Sequence, residues 1–213
     1  MPSKNIVKIY IKDGIYHVYN RGVEKRKIFM DKQDYKVFLH FLKRYLLPPE
    51  EFNSSVQVGP ERRIKPCRQS DIDKKIRLLC YCLMPNHFHL MIQQSTERAI
   101  TEFMRRLSNA YIKYFNNKYK RVGSLFQGRY KAALIKKESH FLYLPYYIHC
   151  NPSELSNCEE IKNYPYSSYG DYLGIRNTKW IYKKDLMEQF VEAENEGMDI
   201  EEAKNILGKI TLE

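Results

Sequence analysis

Two histidines separated by one residue, His87 and His89, stand in the stretch YCLMPNHFHLMIQQ at residues 81–94. In an extended strand, residues i and i+2 point to the same face. Phe88, Leu90 and Ile92 alternate with His87, His89 and Met91, so both imidazoles leave one face while the other face packs into a core. Two imidazoles on one face are part of a divalent-metal site, and a third ligand must come from elsewhere. The same pair also reads as two hydrogen-bonded histidines on a polar sheet face, and the HxH spacing alone does not choose.

A second group with chemical capacity is YYIHCNP, residues 146–152. On a helix Tyr147 and Asn151 share a face, about 6 Å apart along the axis. An asparagine offers a neutral oxygen to a hard cation. A tyrosine can form a covalent phosphodiester intermediate, although its ordinary pKa of about 10 means that attack needs a nearby cation or base. A metal on the scissile phosphate would also offset developing charge. The other reading is a core tyrosine beside a capping asparagine, and spacing by itself favours that one. His149 falls on a different helix face and reads as structural, or as a surface group, and not as a ligand. Tyr146 competes with Tyr147 as nucleophile, but the four-residue offset to Asn151 favours Tyr147.

The elements that must carry these groups follow from periodicity. GIYHVYNRG, residues 14–22, reads as a strand between glycines. From Asp31 a helix is predicted, with Val37, Phe38, Phe41, Leu42 and Tyr45 on its apolar stripe and Pro48 and Pro49 ending it. Residues 48–74 read as a long polar loop or inserted arm. Residues 76–93 form a hairpin around Pro85 and Asn86. The strongest helix spans residues 96–119, with Ile100, Phe103, Met104, Leu107, Tyr111 and Tyr114 as its stripe. Arg105, Arg106 and Lys113 lie off that stripe, on a solvated face that could hold phosphates beside a DNA site. Residues 120–135 run from a loop into a strand, and Arg121, Gly123, Gly128, Arg129 and Lys131 would suit approach of a phosphate backbone. Residues 139–152 read as a helix capped by Ser139 and stopped by Asn151-Pro152; Pro145 should kink it or mark where its regular part begins. A tyrosine-rich stretch and an acidic helical end from about residue 184 to 207 follow. The order β-α-β-β-α-β-α matches a ferredoxin-like split β-α-β core, an α+β fold with a four-stranded antiparallel sheet. Helices on one face leave the other for a site.

The composition points the same way. The 36 Lys and Arg against 25 Asp and Glu give a net charge of +11. That excess favours a polyanionic partner, nucleic acid first, although a soluble protein that is merely basic stays open. Eighteen tyrosines and ten phenylalanines supply rings for base stacking, most of them core. Five cysteines lack zinc-type CxxC spacing, and Cys80 and Cys82 share a strand face as reduced core residues. No run of about 18 apolar residues is present and the first residues carry no apolar signal core, so a cytoplasmic location with no membrane partner is the expectation.

Taken together and in this order, MPNHFHLMI, RRLSNAYIKYFNNKYKRVGSLFQGRYKA and YYIHCNPSE resemble the single-tyrosine HUH transposases, most closely the REP-associated tyrosine transposase branch. YHVYNRG and YPYSSY are similar as well, and the likeness spans residues 14 to about 173. The resemblance implies a ferredoxin-like catalytic domain over residues 1–175, with 48–74 inserted and 176–213 a helical extension. It implies that His87 and His89 hold Mg2+ or Mn2+, with Asn151 as third ligand and Tyr147 as nucleophile. The family cleaves single-stranded DNA near hairpins through a 5′-phosphotyrosine link, releases a 3′-hydroxyl, and rejoins by the reverse step. Arg21, Arg105, Arg106, Arg121, Arg129 and Lys131 are the DNA-binding candidates. Relatives act as dimers that exchange the tyrosine helix or as monomers, so a homodimer is one of two expectations. Departures from the family are Tyr146 where relatives often carry arginine, Pro145 so near the tyrosine, Cys150 in place of an aliphatic residue, and the long insertion.

Two other functions fit parts of the sequence. A non-catalytic single-stranded nucleic-acid-binding protein derived from such a transposase would use the sheet and its aromatics for stacking. A histidine-metal hydrolase of small phosphoesters would not need Tyr147, and the basic charge speaks against it.

Overall fold

The computed structural model describes residues 8–52, 56–57, 63–64, 71–154, 161–184, 186, 190 and 200–207. Its elements are β1 (Ile15–Arg21), α1 (Lys32–Leu46), β2 (Val56–Gln57), β3 (Arg63–Ile64), α2 (Ile72–Lys75), β4 (Ile76–Met84), β5 (His87–Gln94), α3 (Ala99–Lys118), β6 (Lys131–Leu134) and α4 (Glu138–Cys150). A short helix, Tyr169–Tyr172, and a C-terminal helix, Ile200–Leu207, follow.

Four strands form one sheet in the order β4-β5-β1-β6, and every pairing is antiparallel. This is the ferredoxin-like α+β arrangement expected from the element order. Period-two alternation divides the sheet into two faces. Tyr16, Val18, Phe88, Leu90 and Ile92 enter one core with the apolar stripes of α1 and α3. Cys80, Cys82, Met84 and Met91 enter a second core on the other face, beneath Leu144, Tyr147 and Ile148 of α4. Fully burying each such side chain stabilises by about 1.5–3 kcal/mol, so the two cores lock both faces of the sheet. Among the described residues Cys80 and Cys82 are free, buried thiols, and Cys150 is buried as well.

In β4 the register slips by one residue, from Leu78↔Ile92 to Cys80↔Met91, leaving Leu79 as an extra residue. The bulge carbonyl accepts a hydrogen bond from the Tyr172 hydroxyl at 3.0 Å.

Helix α1 begins where its sequence specifies. Asp31 caps it by accepting from the backbone of Gln33 and Asp34, and Asp34 completes a capping box. The buried Asp34 carboxylate also joins α1 to α3. It accepts from the hydroxyls of Tyr114 and Tyr119 and pairs with Lys118, each at 2.7 Å.

The 48–74 segment is less uniform than a loop: β2 and β3 pair with each other, and α2 leads into β4. Most of that segment lies outside the described residues, as does much of the acidic end from 184 to 207. Helix α4 starts at Glu138, with Lys137 and not Ser139 at its N-cap and with no side-chain cap. Pro145 lies inside the helix instead of opening it. Beyond residue 175 the chain packs back onto the body: Trp180 stacks on Tyr81 and Ile181 bridges Leu78. Leu186, Phe190, Ala203 and Leu207 join the α4-side core. Among the described residues no helix is long and apolar enough to cross a membrane.

Candidate metal and tyrosine site

Strand β5 presents His87 and His89 on the α4 side of the sheet, with ring centroids 4.9 Å apart and planes nearly perpendicular. The hairpin turn that fixes His87 is itself held from outside. Gly22 N–H donates to the Asn86 carbonyl at 2.8 Å, and Ile28 and Phe29 donate to the Pro85 carbonyl at 2.7 and 3.0 Å. Gly22 is required here because a Cβ would lie 2.2 Å from the Arg26 carbonyl oxygen.

His87 sits between two amide oxygens. Its Nδ1 is 2.6 Å from Asn86 Oδ1 and its Nε2 is 3.0 Å from Asn151 Oδ1. Both amides are oriented by their NH2 groups, which donate to the carbonyls of Lys25 and Tyr147 at 3.4 Å. A neutral imidazole donates through only one nitrogen. With Nδ1–H given to Asn86, the Nε2 lone pair and the Asn151 oxygen face one another as two acceptors, an arrangement that a cation would satisfy.

His89 is fully buried, and its Nδ1 is 2.8 Å from Nε2 of the equally buried His17. His89 Nε2 is buried with no hydrogen-bond partner among the described residues. Burial, then the neighbouring His87 and His17, push the His89 pKa well below the ordinary histidine value, so the ring is held neutral. Neutral imidazole is the metal-binding form. Among the described residues no three His, Cys, Asp or Glu side chains form a metal cluster; the donors here are two imidazoles and an amide oxygen. The orphaned buried nitrogen and, with the His87 hydrogen on Nδ1, the two opposed acceptors fit a divalent cation.

Tyr147 reaches the same place from α4. Its ring lies edge-on to His89 and His17, with centroids 5.8 and 6.1 Å away. The ring is only 4% exposed. Asn151 follows one turn later in helical conformation at the C-cap. His87, His89, Tyr147 and Asn151 therefore converge within one chain.

His149 does not join them. Its Nε2 is 2.8 Å from Ser168 Oγ, which also accepts the Tyr81 N–H at 2.8 Å and donates to the Tyr81 carbonyl at 3.2 Å. Its ring stacks on Tyr169. Burial, then Arg176, lower its pKa to about 3. It is a neutral, fully buried structural group and not a surface one.

The basic candidates separate by layer. Arg21 is the cross-strand partner of His87, and Lys131 that of Tyr19. Tyr19 stacks with His89 at 6.0 Å, so both cations leave the sheet on the imidazole face. Lys131 Nζ lies 5.9 Å from the Tyr19 ring centroid, and Arg21 Nε donates to Gln127 at 2.7 Å. Arg129 is exposed in the loop before β6. Arg121 lines a cavity with Arg26, Lys27, Met30 and Tyr119. Arg105 and Arg106 are not brought to the imidazoles: α3 packs on the opposite face of the sheet, and Arg106 pairs with Glu102 at 2.7 Å.

His17 was not singled out by the sequence patterns. Its signal was present: His17, Tyr19 and Arg21 alternate with Tyr16 and Val18 along β1. Choosing its partner required the β1–β5 register.

Residues 61–151, which include both strand histidines, the tyrosine and the asparagine, match the family model of IS200-like transposases. This segment, somewhat under half of the chain, is similar to IS200-like transposases. The matched transposase region excludes β1, so His17 and Arg21 come from outside it. Two solved structures are similar. One, a REP-associated tyrosine transposase bound to a REP hairpin, is 12% identical with a TM-score of 0.55, over 86% of this chain and 93% of that one. The other, a candidate transposase from Deinococcus radiodurans R1, is 12% identical with a TM-score of 0.39, over 68% of this chain and 95% of that one. The first shares the fold. No curated protein matches the sequence.

Proposed function

We propose that this protein is a transposase of the IS200-like kind, a metal-dependent single-stranded DNA strand transferase that cuts and rejoins DNA near hairpins, with Tyr147 as nucleophile. The observation that carries this reading is the meeting of the Tyr147 ring with His89 at 5.8 Å, beside the facing His87 Nε2 and Asn151 Oδ1. His87, His89 and Asn151 would hold Mg2+ or Mn2+. When bound, the ion would polarise the scissile phosphate and offset charge at phosphorus.

Tyr147 would attack phosphorus through its hydroxyl oxygen. The P–O3′ bond breaks, the tyrosine proton leaves to solvent or a base, and the product is a 5′-phosphotyrosine with a released 3′-hydroxyl. Attack of a 3′-hydroxyl on that link reverses the exchange, one phosphodiester for another, so no external energy source is needed. Arg21 and Lys131, on the imidazole face, would position the DNA backbone. That the DNA is hairpin-bearing is suggested by the REP hairpin bound to the structurally similar transposase. In this reading one chain supplies all four site residues.

A second reading, a non-catalytic nucleic-acid-binding protein, draws on the 4% exposure of Tyr147: the hydroxyl must be uncovered before it can reach phosphorus. One experiment separates the two. Incubation with a labelled hairpin oligonucleotide and Mn2+ or Mg2+ should yield a denaturant-resistant protein–DNA band that is absent in Tyr147→Phe. Binding without that band in the native protein supports the second reading.

A further inference from the structure

We propose that His17 is a positioning residue for the ligand set: it fixes the tautomer of His89 so that the His89 Nε2 lone pair is available to a cation. The inference rests on the metal-binding reading of His87, His89 and Asn151.

His17 Nε2 and His89 Nδ1 are 2.8 Å apart and the two rings are close to coplanar, 18° between planes. One proton lies between the two nitrogens. If His17 supplied it, His89 would carry its own hydrogen on Nε2. That N–H would be buried with no acceptor among the described residues, an unfavourable desolvation of a donor. If His89 donates through Nδ1, Nε2 carries only a lone pair, the state a metal ligand requires. Partners of this kind on the far nitrogen of a ligand histidine fix its tautomer and raise its basicity, and losing one costs about 10–100-fold in metal affinity.

The His17 ring is itself immobilised. It is fully buried, lies against Tyr19 at 4.7 Å, and meets the Tyr147 ring edge-on at 6.1 Å. Its place on β1 is set by pairing with β5, where His17 is opposite Met91 and Tyr19 opposite His89. His17 thus acts on a neighbouring strand through one hydrogen bond, from outside the segment that matches the transposase family.

The test uses the full chain without metal. Long-range proton–nitrogen correlation of the imidazoles should show His89 protonated at Nδ1 and bare at Nε2; protonation at Nε2 in the native protein overturns the proposal without any variant. In His17→Phe the His89 pattern should move toward Nε2–H. In His17→Gln, whose amide oxygen has similar reach, it should stay. Mn2+ affinity, read by electron paramagnetic resonance, should fall about 10–100-fold in His17→Phe and recover in His17→Gln. Native-like Mn2+ affinity in His17→Phe, with binding lost in His89→Ala, rejects the role of His17 and keeps the metal site. Failure of the native protein to take up Mn2+ or Mg2+ rejects the metal site itself, and the tautomer spectrum then decides the His17–His89 hydrogen bond alone.

Discussion

Asn151 Oδ1 stands 3.0 Å from His87 Nε2, and with the His87 hydrogen on Nδ1, toward Asn86, both atoms are acceptors. Two lone pairs at that separation repel unless a proton or cation lies between them. Asn151→Asp should therefore bind Mn2+ more tightly than the native chain, because a full negative charge replaces an amide dipole, while Asn151→Leu should bind more weakly. Titration calorimetry with Mn2+ decides; equal affinities in all three proteins remove Asn151 from the ligand set.

Tyr147 is both buried and reactive in the proposed scheme, and the two roles separate by substitution. Tyr147→Phe keeps the ring and should change unfolding free energy by about 1 kcal/mol or less while abolishing the covalent DNA adduct. Tyr147→Ala should cost about 3–5 kcal/mol, as loss of a core aromatic does. Denaturant unfolding beside the adduct assay reads both, and a residual adduct in Tyr147→Phe would move the nucleophile elsewhere, Tyr146 first.

His149 predicts an acid limb of stability. Its folded pKa of about 3, lowered by burial and then by Arg176, lies below the unfolded value of about 6.5. The unfolded chain therefore takes the proton first. The stability due to the neutral ring is complete above about pH 6.5 and drains as pH falls toward the folded value, by about 2 kcal/mol between pH 6.5 and 5. His149→Leu should flatten the difference in unfolding free energy between neutral pH and pH 5 by about that amount, measured by urea titration at each pH.

The layering of the cations predicts which ones meet DNA. Arg21→Ala and Lys131→Ala should each lower hairpin-DNA affinity and reduce the slope of log affinity against log salt by about one. Arg105→Ala and Arg106→Ala, across the sheet, should leave that slope unchanged. Fluorescence anisotropy over a salt series reads all four; an unchanged slope in the first pair would move the DNA path away from the imidazole face.

Strand alternation carried most of the fold. Phe88, Leu90 and Ile92 against His87, His89 and Met91 placed both imidazoles on one face correctly, and Asp31 marked the start of α1. Local spacing could not show that α4 would settle over those imidazoles, since that depends on packing of Leu144 and Ile148 against Cys80, Cys82 and Met91. The resemblance to single-tyrosine transposases supplied what spacing alone had left undecided. Ser139 was a reasonable cap, but the chain turns helical one residue earlier, at Glu138, and leaves it inside the first turn. Arg105 and Arg106 were expected at the DNA; α3 carries them on the far side of the sheet from the imidazoles, and which side of the sheet α3 covers is a tertiary fact. The bond between His17 and His89 depends on inter-strand register, which neither strand encodes alone.

The extra residue at Leu79 has an evolutionary corollary. Without it, Ile76-Arg77-Leu78-Cys80-Tyr81-Cys82-Leu83-Met84 would read as a strictly alternating strand with every side chain on the face it already occupies. Excision of Leu79 is thus a phase-neutral indel, and the ribbon can lose a residue without scrambling its inside and outside. The clasp to the Tyr172 hydroxyl and the place of the buried Leu79 side chain in the α4-side core, and with them the seating of the distal chain, would have to be renegotiated.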